Sequence, residues 1–381
     1  MAKTNSSQNA RGRLPNPPPP TGFGNPAGAL EPKIPVAILG ATGAVGQRFV
    51  QLLAGHPWFE IVALAASERS AGRCYADACN WVIPGDPPPF IGEMIVNPLE
   101  PNLPARIVFS ALPSAVAREV EPVFAQAGYA VCSNASAYRQ EQGVPLLIPE
   151  INADHVRMIP GQQAGRGWEG FIVTSPNCTT TGIVMPLKPL DDSFGLRQVF
   201  AASMQAISGA GYPGAASLDI LGNVVPYIGG EEEKIEHETR LLLGHIEDGR
   251  RVEADITISS QANRVPVLDG HTVCLSLGFE QRPTVEEAIA VLAGFRGADV
   301  VRELPSAPEH PIIVRREPDR PQPRRDRDAE GGMAITVGRV RECPLLHLRL
   351  VSVSHNTLRG AASGSILNAE LLVASGEIEY R

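Results

Sequence analysis

The sequence predicts an α/β fold, with a parallel sheet in the first domain and a mixed or antiparallel sheet in a second, α+β domain. Between residues 33 and 177, short apolar runs alternate with stretches at helical spacing, which is the pattern of βαβ units. After about residue 178, apolar and polar residues alternate, as in antiparallel strands with one solvated face. The chain of 381 residues is long enough for two such domains.

The composition excludes several classes of protein. A formal net charge of -8 and an aromatic content of 5% argue against a nucleic-acid binder, which would be basic and would stack bases. No apolar run reaches the roughly 18 residues of a membrane span, and the N-terminus lacks the apolar block of a secretory signal. The six cysteines form no CxxC pair and no Cys/His cluster, so we expect a cytoplasmic protein without disulfides or a bound metal.

The elements of the first domain are predicted from its apolar runs. Residues 34–39 are typical of a buried parallel strand, and residues 47–53 carry apolar side chains at helical spacing. Further strands are predicted at residues 61–66, 106–111 and 129–132. Residues 1–32 are rich in Asn, Pro, Gly and Ser and cannot bury enough apolar surface, so we expect a disordered tail there.

The second domain contains a different set of patterns. Residues 265–267 and 272–277 are predicted to be antiparallel strands. A helix is predicted at residues 285–295, with Thr284 as its N-cap and two acids in its first turn. The arginine-rich residues 315–328 are interpreted as a solvated loop.

A glycine-rich turn follows the first predicted strand. Gly40, Gly43 and Gly46 stand at GxxGxxG spacing between a strand and a helix. Glycines let the backbone turn tightly and approach a pyrophosphate, and the helix N-terminus offers free N–H groups. Three glycines alone are weak evidence, but their place in an N-terminal βαβ unit predicts a dinucleotide-binding site.

The end of the second predicted strand bears on the choice of cofactor. An acid there would bind the ribose 2′-hydroxyl of NAD, whereas an arginine would favour the 2′-phosphate of NADP. The segment contains two arginines, two serines and one acid, namely Ser67, Glu68, Arg69, Ser70 and Arg73. We therefore favour NADP, while Glu68 would suit NAD and a solvated surface turn would account for the same residues.

Cys178 is the candidate nucleophile. It follows Asn177, a good helix N-cap, and is therefore expected in the first turn of a helix. The helix dipole and free N–H groups would lower the thiol pKa there and would stabilise an oxyanion. The alternative is a buried, small apolar residue, which is the commoner role of a single cysteine.

Charged and titratable residues supply candidate partners for the thiol and the substrate. His271 lies seven positions after Arg264 across a Pro/Gly turn, and a histidine beside a cysteine can activate the thiol. Glu231 and Lys234 are three positions apart at the start of a predicted helix, so they share a face and could hold an ammonium and an anion. A loop histidine and an acidic helix start are the plain structural alternatives.

Taken together, six segments resemble the aspartate-semialdehyde dehydrogenases, in particular the archaeal and fungal branch. They occur in the family's order across about residues 33–381, at positions 40–46, 175–179, 205–211, 230–234, 264–271 and 355–362. The resemblance implies a Rossmann-like NADP-binding domain at residues 33–177 and 355–381, completed by a C-terminal helix predicted at 361–374. A catalytic and dimerisation domain at residues 178–354 is also implied, with a homodimer or homotetramer as the assembly.

The resemblance also implies a role for each candidate residue. Cys178 would attack the acyl group, His271 would shuttle the proton, and Gln205 would orient the intermediate. The implied substrate-binding residues are Arg264 for the α-carboxylate, Glu231 for the α-ammonium with Glu232 left open, and Lys234, Arg139 and Asn134 on the phosphate side. The implied cofactor-binding residues are Gly40, Thr42, Gly43, Ala44, Val45, Gly46, Ser67, Arg69, Ser70, Ser110, Asn356 and Gly360.

The activity implied by the resemblance is the reversible, NADP-dependent reductive dephosphorylation of L-aspartyl 4-phosphate to L-aspartate 4-semialdehyde, through a cysteine thioester. This step belongs to the biosynthesis of lysine, threonine and methionine. A malonyl-CoA reductase, or another acyl-CoA or acyl-phosphate reductase on the same scaffold, is the alternative. A non-catalytic NADP-binding regulatory protein is a more remote one. The expected partners are a small-molecule substrate and phosphate, with neither nucleic acid nor membrane.

Overall fold

A computed structural model of the protein describes residues 28, 30 and 32–378. The predicted disordered tail, residues 1–32, lies outside the described residues except at positions 28, 30 and 32. At that end the backbone N–H of Leu30 donates to the carbonyl oxygen of Pro57 at 3.3 Å, so this part contacts the first domain.

The described residues form two six-stranded sheets and a two-stranded hairpin with helices between them. The strands are β1 Ile34–Leu39, β2 Phe59–Ala65, β3 Val96–Asn97, β4 Ile107–Ser110, β5 Ala130–Ser133, β6 Phe171–Thr174, β7 Leu196–Gln205, β8 His245–Glu247, β9 Arg250–Val252, β10 Thr257–Arg264, β11 His271–Phe279, β12 Ile312–Arg315, β13 Ile335–Glu342 and β14 Leu348–Ser354. The α-helices are α1 Ala44–Leu53, α2 Tyr75–Ala78, α3 Pro89–Gly92, α4 Ser114–Gln126, α5 Pro149–Asn152, α6 Ile159–Arg166, α7 Cys178–Phe194, α8 Ser217–Ile220, α9 Glu231–Leu243, α10 Val285–Gly294, α11 Asp299–Arg302, α12 Pro323–Asp326 and α13 Ser363–Ala374. Short 3₁₀ turns cover Ala153–Met158, Ile207–Ala210 and Ala329–Gly332.

The first sheet is entirely parallel, in the order β3-β2-β1-β4-β5-β6, which confirms the predicted Rossmann-like domain. The strand order reverses between β1 and β4, and ligands of such folds bind in the crevice at the carboxyl ends there. Phe49, Phe59 and Phe109 fill the core of this domain. Ile366 and Leu371 of α13 belong to the same core, so the C-terminal helix completes the domain as predicted.

The second sheet is mixed, in the order β10-β7-β11-β14-β13-β12. The pairs β10–β7 and β12–β13 are parallel and the other pairs are antiparallel. Ile183 of α7, Ile235 of α9 and Leu292 of α10 lie in the core of this domain, packed together with buried residues of the sheet. On the opposite face, Phe200 of β7 and Cys274 of β11 are exposed.

Of two elements predicted in the second domain, the helix at residues 285–295 is present and the strand at residues 265–267 is not. The helix predicted at 285–295 is confirmed as α10, and Thr284 forms a reciprocal capping box with Glu287. The strand predicted at residues 265–267 is wrong, because β10 ends at Arg264. Pro266 lacks an N–H group and cannot join a ladder, which is the physical reason for the early end.

The solvated loop predicted at residues 315–328 is confirmed at residues 316–319, which are irregular and exposed, and is wrong at both ends of the segment. Arg315 ends β12, and residues 323–326 form the short helix α12. The Asp326 side chain is fully buried and accepts hydrogen bonds from the guanidinium of Arg320 and from the backbone N–H of Gln322. The charged segment therefore surrounds a buried carboxylate. A charge can be buried in this way when it is paired and hydrogen-bonded, as Asp326 is.

The described part of the chain contains no membrane-spanning helix, no metal-binding cluster and no disulfide. No helix there is both long and apolar enough to cross a membrane. No group of three or more His, Cys, Asp or Glu side chains within it has the geometry to hold a metal ion. All six cysteines lie in this part and are free thiols.

Candidate active site

Cys178 begins helix α7, just beyond the carboxyl end of β6. The side-chain oxygen of Asn177 accepts hydrogen bonds from the backbone N–H groups of Thr179 and Thr180, at 2.8 and 3.1 Å. The predicted N-cap is thereby confirmed, and it fixes the first turn of the helix around the thiol.

A π-helical turn, Leu358–Ala362, packs against Cys178. A Cβ atom on Gly360 would lie 2.6 Å from the Cβ of Cys178, so only glycine allows this approach. The turn is anchored by Arg359, whose guanidinium makes two hydrogen bonds, of 2.8 and 2.7 Å, to the buried carboxylate of Glu150. Single π turns are frequent at functional sites, where they re-aim backbone groups.

His271, the first residue of β11, faces the thiol. Its Nε2 lies 3.2 Å from the Sγ of Cys178, and its Nδ1 accepts a hydrogen bond of 3.0 Å from the backbone N–H of Ala206. The side-chain oxygen of Asn356 accepts from the backbone N–H of Gly270, which fixes the loop just before the histidine. The structure therefore brings together a cysteine and a histidine that are 93 positions apart in the sequence.

The electrostatics of this pair differ from the prediction. Burial raises the pKa of the Cys178 thiol to about 12, and the Glu231 carboxylate adds to the rise, while Arg139 and Arg264 oppose it. Burial, with a further contribution from Arg264, lowers the pKa of the His271 imidazole to about 3. The expectation of a thiol made acidic by the helix start is wrong, because the desolvation of the buried thiol outweighs the favourable groups around it.

Arg264 and Gln205 lie side by side as paired residues at the carboxyl ends of β10 and β7. Both are buried. The guanidinium of Arg264 donates to the carbonyl oxygen of Ala206 at 2.8 Å, and the Gln205 amide donates to the hydroxyl of Ser203 at 3.3 Å. Ala206 thus binds both side chains, accepting from Arg264 and donating to His271, and the guanidinium lies near enough to the Cys178 thiol to act on its charge.

Glu231 begins α9 and its side chain points toward the start of α7. Its carboxylate accepts hydrogen bonds from the side chains of Asn177, at 2.9 Å, and Thr179, at 3.3 Å. The carboxylate of Glu232 instead accepts from the backbone N–H of Ala262. Of the two acids left open by the sequence, Glu231 is therefore the one beside the thiol.

Lys234 lies on the same helix, three positions after Glu231, and is half-buried. Among the described residues its ammonium has no hydrogen bond or ion pair. That it shares a face of α9 with Glu231 stays a prediction from their spacing of three.

Arg139 is tied to the catalytic domain by a residue that the sequence analysis missed. Its guanidinium forms an ion pair of 3.2 Å with the buried Glu238 of α9 and donates to the carbonyl oxygen of Asn134 at 2.7 Å. The second carboxylate oxygen of Glu238 accepts the backbone N–H of Asn177. The available signal was the spacing of seven between Glu231 and Glu238, which puts both on one helix face.

The glycine turn has the close contacts that its predicted role requires. A Cβ on Gly46 would lie 2.2 Å from the carbonyl oxygen of Gly40, and one on Gly40 would lie 2.8 Å from that of Ala111. Gly43 is the N-cap residue of α1, so the free N–H groups of this helix face the crevice. Thr42, Ala44 and Val45 complete the same turn.

The remaining cofactor candidates line the carboxyl ends of the first sheet. Ser67 and Arg69 are exposed in the turn after β2, and Ser70 closes that turn through its backbone N–H to the carbonyl oxygen of Ser67. Ser110 ends β4, and its buried hydroxyl is a hydrogen-bond partner of the Glu121 carboxylate, whose pKa it helps to lower against the effect of burial.

The fold and the geometry of this site together define a class of enzyme. A Rossmann-like domain beside a capped cysteine–histidine pair is the arrangement of a dinucleotide-dependent oxidoreductase that works through a covalent cysteine intermediate. Two family models match the chain, the "Semialdehyde dehydrogenase, NAD binding domain" at residues 35–159 and the "Semialdehyde dehydrogenase, dimerisation domain" at residues 187–359.

Comparison with individual proteins narrows this class. The aspartate-semialdehyde dehydrogenase of Archaeoglobus fulgidus is 54% identical over 340 residues, covering 89% of this chain and 97% of that protein. The enzyme of the same name from Methanothermobacter thermautotrophicus is 50% identical over 88% of this chain and 98% of its own. The crystal structure of aspartate semialdehyde dehydrogenase with NADP from Candida albicans has a TM-score of 0.84 at 43% identity, over 91% of this chain and all of that one. The chain belongs to the aspartate-semialdehyde dehydrogenase family, in its archaeal and fungal branch.

Proposed function

We propose that this protein is an NADP-dependent aspartate-semialdehyde dehydrogenase, which reduces L-aspartyl 4-phosphate to L-aspartate 4-semialdehyde through a thioester on Cys178. The observation that carries the proposal is the 3.2 Å contact between the Sγ of Cys178 and the Nε2 of His271 at the start of a capped helix. A thiol in this position can attack a carbonyl whose oxyanion is stabilised by nearby N–H groups. The name shared by archaeal and fungal relatives supports this substrate over a CoA thioester.

The charged residues around the thiol match the three charged groups of the proposed substrate. We assign the α-carboxylate to Arg264, whose planar guanidinium suits bidentate binding, and the α-ammonium to Glu231. An ammonium at Glu231 would cancel the carboxylate charge that helps to raise the pKa of Cys178, so substrate binding itself would favour the thiolate. Gln205, beside Arg264, would orient the acyl group.

The phosphate group is assigned to Lys234, Arg139 and Asn134. In the described residues, the Nδ2 of Asn134 and the Nε of Arg139 are buried donors without a hydrogen-bond partner. Unsatisfied buried donors are costly unless a ligand uses them, and phosphate offers acceptors in every direction.

NADP would be held by residues 40–46 at its pyrophosphate, by Ser67, Arg69 and Ser70 at its 2′-phosphate, and by Asn356 and Gly360 on its nicotinamide side. The close approach at Gly46 supports this assignment, because a side chain there would collide with the backbone of Gly40 and Ala41 and force the turn open. When bound, the reduced nicotinamide supplies the hydride.

We further propose a cytoplasmic homodimer, with a homotetramer as the larger form. The domain division at residues 33–177 with 355–381, and 178–354, is part of the same proposal. The uncovered face of the second sheet, which exposes Phe200 and Cys274, is the surface we assign to the partner subunit. Six free cysteines are what a reducing compartment allows.

The assay that tests the proposal follows NADP reduction with aspartate semialdehyde in the presence and absence of phosphate. We expect turnover that requires phosphate, and a loss of about 10³-fold or more in a Cys178→Ser variant. Turnover with malonyl-CoA alone would contradict the substrate assignment. Full activity in the Cys178→Ser variant would contradict the mechanism.

A further inference from the structure

The loop that follows β5, residues 134–145, carries two of the residues assigned to phosphate, Asn134 and Arg139. This loop forms no helix or strand, although Arg139 and Val144 are buried within it. Buried carbonyl groups outside helices and sheets still require hydrogen-bond donors. The loop therefore depends on side chains for its conformation.

One arginine of the second domain supplies such donors. Arg251 of β9 is buried and directs its guanidinium into the loop. The guanidinium donates a hydrogen bond of 3.3 Å to each of three carbonyl oxygens, those of Arg139, Glu141 and Val144. Because a guanidinium has several N–H donors in a fixed plane, a single side chain can hold the backbone at several points.

Arg139 is held by the second domain at its backbone as well as at its side chain. Its carbonyl oxygen accepts from Arg251, and its guanidinium forms the 3.2 Å ion pair with Glu238 of α9. The hairpin of β8 and β9 follows α9 directly, so both contacts come from residues 231–252. The same segment carries Lys234. Arg139 is thereby fixed relative to Lys234, although it belongs to the first domain in sequence.

The hydrogen bonds to the loop compensate for the burial of the Arg251 charge. Two carboxylates act on this charge, those of Glu238 and Glu253, and they oppose the lowering of the guanidinium pKa by burial. Both form ion pairs with other arginines, Arg139 and Arg240. Since a buried charge without a partner is costly, the loop carbonyl oxygens and the guanidinium stabilise each other.

We propose that Arg251 is a positioning residue for the phosphate step, which acts by holding the loop of residues 134–145 so that the Arg139 side chain faces the phosphate. The inference rests on the proposed function for the assignment of phosphate to this loop. Arg251 has no assigned substrate group of its own and acts through Arg139. Because a displacement of about 1 Å can cost up to roughly 10²-fold in rate, loss of these hydrogen bonds should weaken the phosphate step selectively.

Pre-steady-state kinetics of an Arg251→Met variant separate the phosphate step from the chemistry at Cys178. Without phosphate, aspartate semialdehyde and NADP should give a single burst of NADPH as the thioester forms. We expect the size and rate of this burst to stay within about twofold of the wild type, and the KM for phosphate to rise about tenfold. An unchanged KM for phosphate, or a burst that falls by the same factor, would overturn the proposal.

A double substitution shows whether Arg251 acts through Arg139. In an Arg139→Met background the phosphate-binding guanidinium is absent, so the addition of Arg251→Met should raise the KM for phosphate no further. Additive effects of the two substitutions would contradict the positioning role.

Two further variants supply the controls. Arg251→Lys keeps the positive charge but reaches fewer of the carbonyl oxygens, so it should raise the KM for phosphate about threefold, and it decides the question if the methionine variant does not fold. A wild-type KM in the lysine variant would contradict a role that needs several donors. Arg250→Met is the matched control, because Arg250 precedes Arg251 on β9, is exposed and points to the opposite face. It should leave both the burst and the KM for phosphate unchanged.

Hydrogen exchange tests the positioning without any substrate. Within the loop, the backbone N–H groups of Glu141 and Val144 donate to the carbonyl oxygens of Tyr138 and Glu141. In the Arg251→Met variant we expect these amides to exchange about tenfold faster, by mass spectrometry of the peptide that spans them, with no change in β7. Unchanged exchange would overturn the proposal whatever the substrate is. A wild-type enzyme that turns over without phosphate would instead count against the proposed function and leave the exchange result valid.

Discussion

In the nucleotide-binding domain, the proposed cofactor crevice is built by backbone groups within one short turn, residues 40–46, whereas the proposed catalytic site joins side chains from distant parts of the chain. Cys178, Glu231 and His271 come from α7, α9 and β11, and Arg139 contacts Glu238 of α9 from a loop of the first domain. A local motif can therefore be recognised from its spacing alone. A network of side chains has to be seen in three dimensions.

The largest effect, on cofactor affinity, is expected when a side chain is added within the glycine turn at residues 40–46. A Gly46→Ala variant would place a methyl group 2.2 Å from the carbonyl oxygen of Gly40, so the turn must open. We expect the Kd for NADPH to rise by about 100-fold, equivalent to roughly 2.7 kcal/mol, as measured by fluorescence titration. Gly55→Ala is the control, because a Cβ there meets nothing within 4 Å. Wild-type NADPH affinity in the Gly46→Ala variant would show that the turn does not shape the crevice.

In the proposed catalytic site, a substitution should lower activity even at a residue to which we assign no substrate group. Glu238 joins Arg139 to the backbone N–H of Asn177, so it positions both the arginine that we assign to phosphate and the cap of the helix that begins at Cys178. A Glu238→Gln variant is expected to lower kcat/KM about tenfold and to raise the KM for phosphate, since the arginine loses its buried counter-charge.

A matched variant on the same helix separates this role from general damage. Glu236 also accepts a backbone N–H, from Ser260 at 2.8 Å, but on the side of α9 that faces β10. Glu236→Gln should leave the KM for phosphate unchanged. Equal changes in the two variants would mean that Glu238 only stabilises the fold.

Glu238 and Cys178 show which features of the site the sequence could not predict. The alternation of apolar runs predicted the parallel sheet, and the GxxGxxG turn and the cap at Asn177 were visible because each involves neighbours in the chain. Glu238 was missed because its partners are 61 and 99 positions away. The pKa of Cys178 was predicted in the wrong direction, since burial by the turn around Gly360 leaves no trace in the local sequence.

The smallest expected effect is on the pH dependence of stability. A buried group in each domain changes the free energy of unfolding with pH, and the two changes have opposite signs. Burial raises the pKa of Glu121, on α4 of the nucleotide-binding domain, to about 7, while burial lowers that of His271 to about 3. The Glu121 contribution is fully present below pH 4.5 and is lost as the pH rises through about 7. The His271 contribution is lost as the pH falls from about 6.5 toward 3.

A Glu121→Gln variant tests this opposition. Its free energy of unfolding at pH 8 should exceed that of the wild type by on the order of 1 kcal/mol, with no gain at pH 5, as measured by urea denaturation. Glu119→Gln, on the exposed side of the same helix, should change neither value. A gain of equal size at both pH values would refute the role given to the buried carboxyl.

The most direct test of the account is the detection of the acyl-enzyme. Incubation with aspartate semialdehyde and NADP, but without phosphate, should leave an aspartyl thioester on Cys178, identified by mass spectrometry of the modified peptide. Addition of phosphate should discharge it, because Arg139 and Lys234 then hold the attacking anion. No adduct, or an adduct on another of the six cysteines, would contradict the claim that this thiol is the nucleophile.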